Sequence, residues 1–259
     1  MTDTKMKAVV LAAGIGKRLQ TGENDAPKVM RLACGKPLLW YVLDALSFID
    51  KKDTIIVVGY KKDAVISHFP GYSFAVQEEQ KGTGHAVMAA GVTGAAGDEL
   101  SGYDGPLLVC CGDMPAIRRG TYEALARVHR DEGNDCTLLT GESSLRLPYG
   151  RIIRGGDGGF QKIVEERDCS PDQFSITELN SGVYVFQTPQ LFDALKRLDC
   201  NNAQSEYYLT DVPEIILRDG ARIGLHRRDL GDEIIGVNTL EQLTQVEAIL
   251  RNRLFPILR

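Results

Sequence analysis

The sequence predicts an α/β protein built on a mainly parallel sheet flanked by helices. Three observations point there. Short β-branched runs alternate with longer segments of helical spacing. The glycines and polar residues able to touch a ligand follow those runs, as expected of a sheet that binds beyond the carboxyl ends of its strands. After about residue 145 the alternation gives way to strand-like segments divided by Gly-rich or polar turns.

Lys7–Leu11, Thr54–Gly59, Phe74–Gln77, Leu107–Cys111 and Cys136–Thr140 read as buried strands. Between them Leu38–Phe48, Asp63–Phe69, His85–Ala90 and Thr121–Asp131 have helical spacing. Arg151–Arg154, Gln161–Glu165 and Gly182–Phe186 suggest a β-rich lobe over the sheet edge. Helices return at Gln190–Leu198 and Leu209–Asp219. The segment Leu240–Arg253 places Leu240, Leu243, Val246, Ile249 and Leu250 on one side, an amphipathic stripe. No long repeat, low-complexity tract or linker divides the chain.

Bulk composition is that of a soluble globular protein: 43% hydrophobic and 25% charged over 259 residues. The net charge of −5 and the lack of Lys/Arg clusters exclude a nucleic-acid footprint. Anions would have to be held by local groups: backbone N–H, helix N-termini, a few basic side chains and a metal. The six cysteines form no C-x-x-C pair and the four histidines are scattered, so zinc is not expected. Reduced thiols and a cytoplasmic location are the expectation. The apolar run Ala8–Ala13 is too short for a signal peptide, and no stretch approaches the ~20 residues of a membrane span.

The first strand runs into Ala12-Ala13-Gly14-Ile15-Gly16-Lys17-Arg18-Leu19. Small residues let the backbone approach a ligand, and consecutive N–H groups can cradle phosphate. Arg18 adds a fixed planar charge and Lys28, after Pro27, a second cation. Two common motifs are excluded. Leu19 stands where the dinucleotide fingerprint needs its third glycine, and Gly35-Lys36 is followed by Pro37 with no glycine five residues earlier, so it is no Walker A loop. Taken alone, the loop reads as a tight turn.

The ordered set of motifs says more. Leu11-Ala12-Ala13-Gly14-x-Gly16-x-Arg18, Pro27-Lys28 and Gly35-Lys36-Pro37 resemble the signature of sugar-nucleotide pyrophosphorylases. Gln77-x-x-Gln80-x-Gly82-Thr83-Gly84-His85-Ala86 looks like the N-acetylglucosamine-1-phosphate uridylyltransferase branch. So do Tyr149-Gly150-Arg151-Ile152, Ile163-Val164-Glu165, Asn180-Ser181-Gly182, the run from Ala203-Gln204 to Thr210-Asp211, and Gly236-Val237-Asn238. The resemblance covers nearly the whole chain, from Ala8 to about Leu250. It implies a Rossmann-like fold of the nucleotide-diphospho-sugar transferase type, with a small β-rich sugar-binding lobe. Residues 5–239 would form the nucleotidyltransferase domain and residues 240–259 a C-terminal helical arm.

The implied reaction is attack by a sugar-phosphate oxygen on the α-phosphorus of UTP. A phosphate monoester with a second pKa near ~6 is already anionic at neutral pH, so no catalytic base is required. Catalysis then falls to positioning, cations and metal. By resemblance, Arg18 and Lys28 serve the triphosphate and transition state. Leu11, Ala13, Gly14, Gln77, Gly82 and Thr83 form the nucleotide site, and the Gln77 amide suits a pyrimidine edge. Cys111, Gly150, Glu165, Asn180 and Asn238 surround the sugar. Asp113 and Asn238 hold Mg2+, the expected cofactor, which favours a few oxygen ligands plus substrate phosphates.

Plainer readings stand beside these. Asp113 and Asn238 are also common turn or cap residues. Lys28 could be a surface lysine, Gln77 a polar strand end, Glu165 part of an exposed charge run. His85 reads as a helix-start or core residue without catalytic work.

Three positions depart from the family pattern. Lys17 replaces a usual Thr, the stretch from Arg18 to Lys28 is about three residues longer, and Cys111 stands where a Tyr near the acetamido group is common. The left-handed β-helix of bifunctional relatives needs hexapeptide repeats, and these 259 residues contain none. Uridylyl transfer without acetyl transfer is therefore the expectation. The alternatives are a transferase for another sugar or base, as in UDP-glucose or dTDP-glucose synthesis, and a non-catalytic nucleotide-sugar-binding module. The expected partners are UTP and a sugar 1-phosphate, with neither nucleic acid nor membrane. The sequence leaves the oligomeric state open.

Overall fold

The computed structural model describes residues 5–19, 26–92, 100, 102–142 and 147–254. Most of the stretch between Arg18 and Lys28, the side chain of Lys17 and residues 255–259 of the arm lie outside them. The strands are β1 Lys7–Leu11, β2 Leu32–Ala33, β3 Lys36–Pro37, β4 Thr54–Val58, β5 Ser73–Val76, β6 Pro106–Cys111, β7 Cys136–Glu142, β8 Arg151–Arg154, β9 Phe160–Val164, β10 Glu178–Gln187 and β11 Ile223–Arg228. The helices are α1 Leu38–Ala45, α2 Lys62–His68, α3 Thr83–Val92, α4 Arg119–Glu132, α5 Thr188–Leu195, α6 Val212–Arg218 and α7 Leu240–Leu254.

The main sheet runs β11-β7-β10-β6-β1-β4-β5. Pairings β6/β1, β1/β4, β4/β5 and β7/β11 are parallel, and β10 is antiparallel to both its neighbours. β8 and β9 form a hairpin that joins the sheet through β10. Successive residues of a strand face opposite sides. Ala8 and Val10 therefore enter one core layer and Val9 the other. The first layer takes α1, α2, α4 and α7; the second takes α3, α5 and α6. β4 is apolar at four of its five positions and buried throughout, as a strand covered on both faces must be.

The predicted elements recur with shifted ends, and four points differ. Gly182–Phe186, expected in the outer lobe, is part of ten-residue β10 inside the main sheet. Leu209–Asp219 divides into a 3₁₀ turn at Leu209–Asp211 and the helix α6, where Pro213 fits the first turn and lacks an N–H to donate. The edge strand β11 was not expected, because His226, Arg227 and Arg228 hide its pattern. On α7, Val246 and Leu250 are buried, whereas Leu240 is 44% exposed and lies off the packed stripe.

Helix α4 and strand β7 meet at a buried histidine. Gln187 Nε2 donates to His129 Nε2 at 3.2 Å, so the ring carries its proton on Nδ1 and donates to Thr137 Oγ1 at 3.0 Å. Burial lowers the His129 pKa from 6.5 to about 4, because a second proton would lose its solvation and face the Gln187 N–H. Between these values the unfolded chain binds the proton and the native chain does not, so stability falls as pH drops from 6.5 towards 4. We expect denaturant titrations to show roughly 2 kcal/mol of stability from this one site lost between pH 7 and pH 5. His129→Gln should flatten the pH dependence by that amount; an unchanged slope would remove the assignment.

Candidate functional site

The carboxyl ends of β1, β4, β5 and β6 lie along one edge, because these strands run parallel. β10 runs the other way, so its beginning arrives at the same edge. Its pairing is irregular between Asn180 and Tyr184, where Gly182 takes a positive φ of 74°. There Gly182 faces Cys111, and a Cβ on the glycine would lie 3.7 Å from the thiol. A cleft of about 220 Å3 opens at this point. Of the predicted residues Leu11, Thr83, Cys111, Asp113, Gly150, Glu165, Asn180 and Asn238 line it.

At the floor of the cleft three side chains converge. The Lys28 ammonium is ion-paired to Asp113 Oδ2 and donates to Asn238 Oδ1 at 3.0 Å. Asp113 stands two residues past the end of β6, and its backbone O accepts from Val237 N–H at 2.9 Å, which brings Asn238 alongside. Lys28 is held close by the first loop: a Cβ on Gly16, whose φ is 69°, would come within 2.6 Å of Lys28 Cβ. The cap reading for Asn238 does not hold. Thr239 Oγ1 accepts from Gln242 N–H at 3.3 Å and Gln242 Oε1 accepts from Thr239 N–H at 3.1 Å, a reciprocal cap at the start of α7. The Asn238 side chain is thereby left to the cleft. Among the described residues no group of three His, Cys, Asp or Glu could hold a metal.

Across the cleft, Asn180 accepts from Gly182 N–H at 3.2 Å and donates to Tyr184 Oη at 2.7 Å, which fixes its amide orientation. Asn180 N–H donates to Gly150 O at 2.9 Å. Glu165 is no exposed charge. Burial raises its carboxyl pKa, against which Thr210 Oγ1 donates to Oε1 at 2.9 Å. Burial also drives the Cys111 thiol pKa far up, so it stays protonated.

The remaining nucleotide-site candidates form a second cluster next to the cleft. Gln77, just past β5, donates from Nε2 to Gly82 O at 3.1 Å and to His85 Nδ1 at 3.1 Å. Both amide hydrogens are committed internally, so the group left to a ligand is the amide oxygen. Tyr60 N–H donates to Ala13 O at 3.4 Å, and Gly14 has open space around its Cα. Arg18 is exposed and forms no hydrogen bond or ion pair among the described residues. Sequence reasoning gave no role to Thr210, Tyr149 or His85. All three stand inside quoted motifs, but the contacts of Thr210 and Tyr149 are with residues far along the chain.

Matches to known proteins follow the same outline. The MobA-like NTP transferase domain matches residues 8–209. "Bifunctional protein GlmU" of Pelotomaculum thermopropionicum is 43% identical over 249 residues, covering 96% of this chain and 52% of the relative. The protein of the same name from an Exiguobacterium species is 42% identical, covering 95% and 53%. The chain spans about half the length of the curated relatives it matches. A solved Bacillus anthracis structure, described as a candidate glucose-1-phosphate thymidylyltransferase in complex with a sucrose, superposes with a TM-score of 0.69 over 95% of this chain and 96% of that one. At 19% identity that likeness concerns the fold alone.

Gly82 gives a local test of this architecture. Its φ is 107°, and a Cβ would lie 2.5 Å from Tyr207 O. Gly82→Ala should lower unfolding free energy by about 1–3 kcal/mol, the usual cost of a strained backbone position. A urea midpoint equal to the parent's would show that the contact yields freely.

Proposed function

The chain belongs to the MobA-like NTP transferase family, and on that footing we propose that it transfers a uridylyl group from UTP to N-acetylglucosamine 1-phosphate. A phosphate oxygen of the sugar attacks the α-phosphorus, the new P–O bond forms, the α–β bridge breaks, and pyrophosphate leaves. The observation that carries this reading is the convergence of Lys28, Asp113 and Asn238 at the end of β6, beside a cleft walled by Glu165 and Asn180.

The nucleophile is already anionic at neutral pH, which agrees with a cleft lined by no histidine. The difficulty is bringing two anions together, and the residues address that. Arg18 and Lys28 supply positive charge on the phosphate side. Ala13, Gly14 and the Gln77–Gly82–Thr83 group receive the base by resemblance. Glu165 and Asn180 bracket sugar hydroxyls beside Gly150, where a Cβ would lie 2.6 Å from Ile163 Cγ2 and would force that side chain to shift.

The donor set suits Mg2+. One carboxylate and one amide oxygen already converge on a single cationic group, and Mg2+ takes its other ligands from phosphates and water. When bound there it would neutralise developing charge on the triphosphate.

Pyrophosphate release from UTP and N-acetylglucosamine 1-phosphate tests the reading. No release across the four common nucleoside triphosphates and several sugar phosphates would favour a binding module instead. Arg18→Ala should lower kcat by about 10²–10³-fold, the range for removing one preorganised donor from a developing charge, with a smaller change in the sugar-phosphate KM. A near-normal kcat would take Arg18 out of the reaction. Cys111→Tyr should change the kcat/KM ratio between N-acetylglucosamine 1-phosphate and glucose 1-phosphate by about tenfold, as one side-chain contact commonly does. An unchanged ratio would place Cys111 away from the sugar's 2-position.

A further inference from the structure

Tyr149 lies between β7 and β8, next to Gly150 of the sugar wall. Its hydroxyl donates to Ile234 O at 2.7 Å and accepts from Gly236 N–H at 2.8 Å. One phenol oxygen thus ties down the backbone segment that reaches Asn238 two residues later. The far side of that segment is anchored as well. Val237 N–H donates to Asp113 O at 2.9 Å, and Asn238 N–H donates to Gln242 Oε1 at 2.7 Å. Between the anchors Gly236 is crowded: a Cβ would lie 2.6 Å from Met114 Sδ and 3.1 Å from Tyr149 Oη. The backbone of Tyr149 is itself held by the buried Arg151, whose Nη1 donates to Leu147 O at 3.2 Å and to Tyr149 O.

We propose that Tyr149 is a positioning residue: its hydroxyl sets the Asn238 amide oxygen opposite Asp113 and couples the sugar wall at Gly150 to divalent-cation binding. The proposal rests on the transferase reading above. Tyr149 lines the same cleft as Asp113 and Asn238, and its hydroxyl is committed to Ile234 O and Gly236 N–H rather than to either of those side chains. It acts through the backbone of residues 234–238, which Tyr149 holds on one side and the backbone O of Asp113 on the other. Removing one lets Asn238 swing about the other, so the cation loses a well-placed ligand. The same segment meets the wall that carries Gly150, so a sugar phosphate resting on that wall steadies the arm. Linkage then requires reciprocity: the factor by which sugar phosphate tightens the cation equals the factor by which the cation tightens sugar phosphate.

The test uses Mn2+ as the probe, with free Mn2+ read by electron paramagnetic resonance. The chain is held with the α,β-methylene analogue of UTP, which has no oxygen bridge to break, and titrated with and without N-acetylglucosamine 1-phosphate. Tyr149→Phe should bind Mn2+ about tenfold more weakly and lose the tightening by sugar phosphate, while its affinity for UMP without metal stays that of the parent. Gly236→Ala, which presses the arm from the other side, should weaken Mn2+ in the same way and serves if the first variant does not fold. Leu125→Ala, a core truncation in α4, should lower the melting temperature yet leave Mn2+ affinity intact. Parent-like Mn2+ binding in both arm variants overturns the proposal. So does equal weakening in Leu125→Ala, which would mark a stability effect, and so does a parent chain that binds no Mn2+. A parent chain that binds Mn2+ but releases no pyrophosphate from UTP refutes the transferase reaction alone, and the comparison of variants still decides the role of Tyr149.

Discussion

A parallel sheet delivers the carboxyl ends of its strands to one edge, and β10 is the one strand of the main sheet path that arrives there by its beginning. Everything in the cleft depends on that reversal. A parallel strand between β6 and β7 would have presented its last residues at the edge and its Asn180–Gly182 segment at the opposite one. Instead the pairing of Tyr184 with Val109 fixes Gly182 across from Cys111 and brings Asn180 into the cleft. The β8–β9 hairpin then attaches to the same end of β10 through Leu179 and Arg151, which places Gly150 and Glu165 around Asn180. The reversed strand and its hairpin together build the proposed sugar side onto the proposed phosphate side, which β1 and β6 already provide.

Electrostatics divides the site along the same line. The chain is acidic overall, with a net charge of −5, yet its proposed substrates are both polyanions. Attraction therefore has to be local. Lys28 is kept close to Asp113 and Asn238, where its charge is balanced by a carboxylate; Arg18 stands unpaired among the described residues on a loop of small residues. An exposed guanidinium without a carboxylate partner keeps its full charge for an incoming phosphate. Glu165, on the far wall, is half-buried and bonded to Thr210, and burial raises its carboxyl pKa, which fits the proposed contact with neutral hydroxyls.

Much of this was legible in the sequence, for identifiable reasons. Strands covered on both faces, such as Thr54–Val58, announce themselves as unbroken apolar runs. Candidate site residues tied to a strand end, such as Asp113 after Cys111, can be located once the strand is found. What sequence spacing does not reveal is partner choice in the sheet. Gly182–Phe186 reads as a strand but carries no mark of its antiparallel neighbours, so its place was misjudged. β11 was hidden because it ends in His226, Arg227 and Arg228, and the two exposed arginines break the apolar run. Asn238, placed at the sugar and metal by resemblance, also allowed a plainer reading as a helix cap because it stands two residues before Leu240 of α7; the reciprocal bonds of Thr239 and Gln242 take over the cap.

The glycines of the Gly82-Thr83-Gly84 run show how a motif can be recognised for one reason and required for another. A Gly-rich turn opening a helix suggests backbone cradling a phosphate. Here the close neighbour of both glycines is protein: a Cβ on Gly82 would lie 2.5 Å from Tyr207 O, and one on Gly84 would lie 2.6 Å from Leu198 Cδ1. The approach lets Tyr207 N–H donate to Lys81 O and Gly84 N–H donate to Tyr207 O, both at 2.8 Å, while Leu209 N–H donates to Thr83 Oγ1 at 3.0 Å. One residue further on, Thr210 reaches Glu165. A single strap from Tyr207 to Thr210 therefore fastens the Gly82 loop at one end and the Glu165 carboxylate at the other. The bonds come from Tyr207, Leu209 and Thr210, so the Gly82 loop and Glu165 are held by one short stretch of chain. Glycine is required at these positions because two parts of the fold must touch, and the ligand site inherits its geometry from that contact.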